Sequence, residues 1–169
     1  MSLEAFKTRV LPVKDKLYRY TLRILKNEDE AKDVVQETMI KVWNKRDEMH
    51  TLENMEAWCI RVARNLSLDK LKSKHNHSVE IDKAYNLQSS NHSPYASTET
   101  NDTMQTVHHF INKLPEMQKQ VLQLRDIEGF SYQEISDILH QNLNTVKVNL
   151  FRARKQVREQ LLNVNSYGI

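Results

Sequence analysis

The apolar positions of this chain fall on helical spacing through most of its length. Phe6, Val10, Val13, Leu17 and Ile24 keep one face, with Pro12 placed to kink or restart the helix. Asn27 precedes the next apolar stripe and Glu30 stands three residues on, the pattern of a capping box. The stripe itself is Ala31, Val34, Val35, Thr38, Met39 and Val42, at offsets of 0, 3, 4, 7, 8 and 11. A third helix is predicted over about 54–72, with Trp58, Val62 and Leu66 as inward anchors. Trp43 is expected in the core as well.

The period then stops. Residues 75–104 open on His75-Asn76-His77-Ser78 and continue through Ser89-Ser90-Asn91-His92-Ser93-Pro94 into Ser, Thr, Asn and acid. Such a segment has too few apolar groups to offset its ordering entropy and reads as a flexible linker, with room for a short helical turn at 79–87. Helical spacing returns with Val107, Phe110, Ile111 and Leu114, which end at Pro115. Val121, Leu122 and Leu124 follow, up to Gly129. Ser131 is placed to cap a helix that buries Ile135, Ile138 and Leu139, again with an acid, Glu134, three residues later. The last helix carries Val146, Leu150, Ala153, Val157 and Leu161 on one stripe. The predicted fold class is all-α: two small helical domains, 1–74 and 105–169, joined by a flexible linker over 75–104.

Composition narrows this further. Only two glycines and three prolines occur in 169 residues, too few for all-β or Rossmann-like turns. The one cysteine, Cys59, cannot form an internal disulfide, which fits a reducing, cytoplasmic setting. No apolar run is long enough to predict membrane insertion. Seven histidines raise the idea of a metal enzyme, but none has ligand spacing, and no cofactor or metal is predicted. Charge is uneven. Residues 1–74 carry 16 Lys/Arg against 12 Asp/Glu, residues 75–104 carry 1 against 4, and residues 105–169 carry 8 against 6. Basic ends permit contact with nucleic acid without demonstrating it.

The stretch 132–158 has the form of a helix-turn-helix: two helices either side of His140-Gln141, with Asn142 placed to cap the second. Its outward residues are Asn144, Thr145, Lys147, Val148, Asn149, Arg152 and Lys155, with Arg154 a further candidate. Lys147, Arg152, Arg154, Lys155 and Arg158 are candidate phosphate contacts. Asn149 suits an adenine edge, and Val148 a thymine methyl. A solvated basic face on an ordinary terminal helix would share the charge pattern, but not the tight break and the polar tip.

Several motifs together resemble a known family. Leu114-Pro115-Glu116, Val121 to Arg125, Glu128-Gly129-Phe130-Ser131-Tyr132-Gln133-Glu134-Ile135, Thr145-Val146-Lys147 and Leu150-Phe151-Arg152-Ala153-Arg154 resemble the C-terminal domain of bacterial RNA polymerase sigma factors of the sigma-70 family. Asp29 to Thr38 with Val42-Trp43 resembles the polymerase-binding helix of that family. Ala57-Trp58, Arg61 to Asn65 and Asp69 resemble its promoter-opening segment. The short chain without an intermediate domain resembles the extracytoplasmic-function group. Three departures stand out. The break carries His140-Gln141 where a glycine and a small apolar residue are common. Asn144 stands at a frequent glycine position, where it is expected to take a left-handed or capping conformation. Val148-Asn149 replaces a commoner Ser-Arg pair.

The resemblance implies a promoter-specificity subunit and not an enzyme. Its partners would be RNA polymerase core (clamp and flap regions), promoter DNA and, as in many relatives, an anti-sigma factor. Asp33, Gln36, Glu37 and Ile40, on the second face of their helix, would dock on polymerase. An ordinary exposed face with one stray isoleucine is the plain alternative. Residues 49–74 would handle melted DNA. The loop 49–55, with Met49 and Met55 at its ends, would hold a flipped base, Arg61, Arg64, Lys70, Lys72 and Lys74 would meet phosphates, and Asn65 a base or the backbone. The competing reading is a stand-alone dimeric helix-turn-helix regulator, which would have no use for the polymerase-binding helix.

Overall fold

The computed structural model describes residues 2–48, 54–81 and 101–166, with side chains placed as far as 75 in the second stretch and over 104–164 in the third. Every regular element among them is helical. Two compact units divide the chain, Met1–Gln88 and Ser89–Ile169.

The first unit is built from α1 (Leu3–Arg9), a 3-10 turn (Leu11–Val13), α2 (Lys14–Leu25), α3 (Glu28–Asn44) and α4 (Met55–Ile81). Ser2 caps α1, its side chain accepting from the Ala5 amide at 3.2 Å. Pro12 ends the first helical run and restarts it as α2, because it has no amide hydrogen to give to the preceding turn. Lys26 closes α2 in the left-handed region at φ 54. Asn27 then caps α3 by accepting from the Glu30 amide at 3.0 Å. The reciprocal half of a capping box is absent from the bonds at this end; the Glu30 carboxylate meets Lys74 at 2.6 Å instead.

Helices α2, α3 and α4 pack on one another around Leu17, Tyr20, Val34, Val42 and Ile60. The α3 stripe is buried as expected, with Met39 half-buried. Helix α4 departs from expectation. Its buried residues are Met55, Cys59, Ile60, Ala63 and Ser67, while Trp58, Val62 and Leu66 are only half-buried. Cys59, Ala63 and Ser67 form a stripe of small side chains at i, i+4 and i+8, which lets α4 approach its neighbours closely. The larger residues are turned to the flank. Three buried hydroxyls in this core are satisfied by their own helices: Thr21 on the Leu17 carbonyl at 2.9 Å, Thr38 on Val34 at 2.7 Å and Ser67 on Ala63 at 2.8 Å. Trp43 is half-buried, edge-on to Phe6 at 5.3 Å between ring centres, with the Arg46 guanidinium 4.9 Å from its ring. Helix α4 also runs past 72, into the start of the segment read as linker.

The second unit holds α5 (Asn101–Asn112), α6 (Glu116–Leu122), a π turn (Gln123–Ile127), α7 (Tyr132–Leu139) and α8 (Leu143–Ser166). Helices α5, α6 and α7 each pack on α8. The expected stripe of α8 is buried at Val146, Leu150 and Ala153 and half-buried at Val157 and Leu161. Ile111, Leu114, Val121, Leu124, Ile135 and Ile138 complete this core. The π turn widens the end of α6, and the chain reverses at Gly129, whose φ of 81 suits a residue without Cβ. Of the predicted turn at 79–87, residues 79–81 are the end of α4, and 82–100 lie outside the described residues.

Candidate functional site

The helix-turn-helix is assembled from local bonds. At the start of α7 the capping box is complete. Ser131 Oγ accepts from the Glu134 amide at 3.2 Å, and Glu134 Oε2 accepts from the Ser131 amide at 2.7 Å. His140 ends α7 in the left-handed conformation, φ 53 and ψ 44. Its amide and that of Gln141 both donate to the Ser136 carbonyl, and the Ser136 hydroxyl donates to the Gln141 carbonyl. Asn142 caps α8, accepting from the Thr145 amide at 2.7 Å. The left-handed residue is therefore His140, not Asn144. Asn144 lies within the first turn of α8, because Asn142 has already started that helix.

Asn144, Lys147, Val148, Arg152 and Lys155 are exposed on α8, and Thr145 and Asn149 are half-buried. Asn144, Thr145, Val148, Asn149 and Arg152 line one open depression together with Asn142 and Leu143. Asn149 Nδ2 donates to the Thr145 carbonyl at 2.8 Å. That bond fixes the amide orientation, leaving Oδ1 and one hydrogen on Nδ2 for a ligand. Lys155 has Glu159 at 3.9 Å, a loose surface pair. Arg154 is not a spare cation. It grips Asp126 through two bonds, Nε to Oδ2 at 2.9 Å and Nη2 to Oδ1 at 2.5 Å. That interaction, with Tyr132 adding to it, raises its already high pKa.

Tyr132 was not singled out by the sequence. Its ring has the Arg125 guanidinium at 4.7 Å and the Lys147 ammonium at 5.8 Å. Arg125 also donates to the Phe130 carbonyl at 2.7 Å, which ties the π turn to the start of α7. Asp126 was missed for a plain reason: its partner is 28 residues away, and no periodicity reports such a pair.

In the first unit, Asp33, Gln36, Glu37 and Ile40 are all exposed along α3, opposite its buried stripe. Ile40 is 58% exposed, a large apolar surface for one residue. Asp33 has Lys70 at 3.7 Å and Glu37 has Lys41 at 3.3 Å. These pairs are solvent-exposed and leave the carboxylates available to a partner.

The segment expected to meet melted DNA is divided. Asn65 and Lys72 are exposed, and Arg61 and Arg64 half-buried. Met55 is a correction: it is 6% exposed and belongs to the core. As the first residue of α4 it points into the packed helices, so it cannot line a pocket for a base. Asn54 caps that helix, accepting from the Ala57 amide at 2.9 Å. Met49 and the loop residues 49–53 lie outside the described residues. Lys70 and Lys74 each face an acid of α3, Asp33 at 3.7 Å and Glu30 at 2.6 Å, surface pairs that do not commit either ammonium. Trp58, Val62 and Leu66 floor a groove of about 500 Å³ between α4 and the end of α3, rimmed by Lys41, Lys45 and Asn65. The groove depends on which way α4 turns these three side chains, and helical spacing alone does not report that.

Cys59 carries no chemistry here. Burial first, and the Glu56 charge second, push its thiol up to about 12. Among the described residues no cluster of three His, Cys, Asp or Glu is placed to hold a metal ion. No described helix is long and apolar enough to cross a membrane.

Two family patterns match this chain. Sigma-70 region 2 covers residues 10–77, and sigma-70 region 4 covers residues 104–157. The first contains the α3 face and the groove beside α4, and the second contains the helix-turn-helix. The chain is 29% identical to the ECF RNA polymerase sigma factor SigW of Bacillus subtilis (strain 168), over 94% of its own length and 89% of that protein's. It is also 29% identical to the RNA polymerase sigma factor SigV of the same organism, over 88% and 86%. Among solved structures, the sigma factor RpoE in complex with the anti-sigma factor NepR from Bartonella quintana superposes with a TM-score of 0.72 at 25% identity, over 94% of this chain and 98% of that one. A capped region 4 helix-turn-helix and a region 2 helix bundle thus occur in one chain, in the family's order. The chain belongs to the sigma-70 family of RNA polymerase sigma factors, in its extracytoplasmic-function (ECF) group.

Proposed function

We propose that this chain binds RNA polymerase core, directs it to particular promoters and assists opening of the duplex, with polymerase carrying out the chemistry. The carrying observation is the pairing of two surfaces in one chain: the polar tip of α8 and the exposed α3 face with Ile40 at its centre. A stand-alone regulator needs the first and has no use for the second, and the region 2 match disfavours it.

The α3 face of Asp33, Gln36, Glu37 and Ile40 is the polymerase contact in this reading. An isolated apolar side chain ringed by acids and an amide suits a partner groove with a basic rim. The α8 tip enters the major groove of the upstream element as duplex. There Asn149 and Val148 contact base edges, Asn144 and Thr145 sit at the leading end, and Lys147, Arg152 and Lys155 meet phosphates. Arg61, Arg64, Asn65 and Lys72 hold the melted strand of the downstream element. Capture of a flipped base falls to residues 49–54, Met49 included, with Met55 as their buried anchor. The working compartment is the cytoplasm, where polymerase is. The RpoE relative was solved with an anti-sigma factor, and a protein of that kind is the regulatory partner proposed here.

In vitro transcription with core polymerase on a promoter library tests this directly. Addition of the chain is expected to select a set of promoters with common upstream and downstream elements. Ile40→Asp combined with Gln36→Ala is expected to abolish holoenzyme formation in a pull-down. Retained core binding by that double variant would refute the α3 assignment, and transcription without promoter selection would refute the function.

A further inference from the structure

The cations of α8 are not equivalent. Lys147, Arg152 and Arg158 are exposed, and no carboxylate of the described residues pairs with them. Arg154 lies on the same flank as Lys147 and Arg158, seven residues after the one and four before the other. It is exposed as well, yet its guanidinium is turned back to Asp126 in the π turn. The contact is a two-point fork, the geometry in which an arginine loses least freedom per bond. Tyr132 lines the same depression as Arg154 and receives Lys147 over its ring, so the start of α7, the π turn and α8 meet at this point. On this flank Lys147, Arg158 and the loosely paired Lys155 are presented, while Arg154 between them is not.

We infer that Asp126 is a positioning residue: its carboxylate ties the recognition helix to the π turn and withholds Arg154 from DNA phosphates. The inference rests on the reading of α8 as a duplex-binding helix. Its consequence is a limit on sequence-independent affinity. Each phosphate contact adds binding without sequence information, so one cation withheld leaves base contacts a larger share of recognition.

The salt dependence of duplex binding measures the count of phosphate contacts, which a purely structural ion pair would not change. The full-length chain is titrated with a mixed-sequence duplex over a range of KCl concentrations. Asp126→Asn keeps the shape and removes the charge that holds Arg154. Its plot of log affinity against log salt is expected to steepen by about 0.9, one phosphate's worth. Arg154→Gln alone is expected to keep the native slope, and so is Asp126→Asn with Arg154→Gln. That double variant also lacks the fork, so a steeper slope there would trace the effect to loosened packing and overturn the inference. A native slope in Asp126→Asn, or a shallower one in Arg154→Gln, would overturn it too. Absence of duplex binding by the native chain at low salt would instead remove the reading of α8 on which the inference stands.

Discussion

Cys59 sits at 0% exposure in the small-residue stripe of α4, and its thiol is pushed from 9.0 up to about 12. The native chain is expected to resist iodoacetamide at neutral pH and to react only on unfolding, which mass spectrometry would register. The sign of its pH effect follows from the direction of the shift. Between about 9 and 12 the unfolded thiol has lost its proton and the folded one has kept it, so the unfolded state binds fewer protons. The stability attached to Cys59 is therefore present below 9 and falls as pH rises through that window. In denaturant melts across that range, the native chain is expected to lose more stability with rising pH than Cys59→Ala does. Asn149 belongs to the same scale. Its Nδ2 is held by the Thr145 carbonyl, so its amide reaches a base with fixed orientation. Asn149→Ala is expected to relax selection at one base pair, at about 1–3 kcal/mol of discrimination. A loss of affinity uniform across a promoter library would make Asn149 a backbone contact.

Among the elements, the two helices of the reader depend on their ends. Ser131→Ala removes one half of the α7 capping box and is expected to cost about 1 kcal/mol in the second unit. His140 occupies the left-handed region, where an L-residue costs about 1–2 kcal/mol. His140→Gly is expected to stabilise the turn by a similar amount, seen as a higher Tm, because glycine adopts that region freely. The caps were legible in the sequence, since each is a polar residue with its partner amide two or three positions on. The position of the left-handed residue was not. Asn144 looked suited to it by residue type, but the bonds from the His140 and Gln141 amides to the Ser136 carbonyl close α7 earlier. Periodicity likewise found α4 but assigned its inward side to the large stripe of Trp58, Val62 and Leu66. A rotation of one position exchanges two helical stripes, and close packing favoured the one with small side chains.

At the scale of the whole molecule, each unit closes its own core, and both tryptophans, Trp43 and Trp58, belong to the first. Ile138 is 1% exposed in the second unit. Ile138→Ala is expected to cost that unit about 2–5 kcal/mol. Its effect should appear in the helical circular-dichroism transition while tryptophan fluorescence melts as in the native chain. A fluorescence transition displaced in parallel would show that the two cores unfold as one.

The sequence by itself determined the helical class, the two modules in their order, the caps at Asn27, Ser131 and Asn142, and the outward faces of α3 and α8. All of these are local: a 3.6-residue period and a cap with its nearby amide are complete within a few turns. The family follows from the same local strings. Tertiary structure decided what depends on partners distant in the chain. Packing buried Met55, turned Trp58 to a groove and set Lys70 and Lys74 against the acids of α3. It also bound Arg154 to Asp126, across a separation that no local pattern encodes. A basic residue on a helix is a candidate contact in sequence; whether its charge is free is settled only by what the fold places beside it.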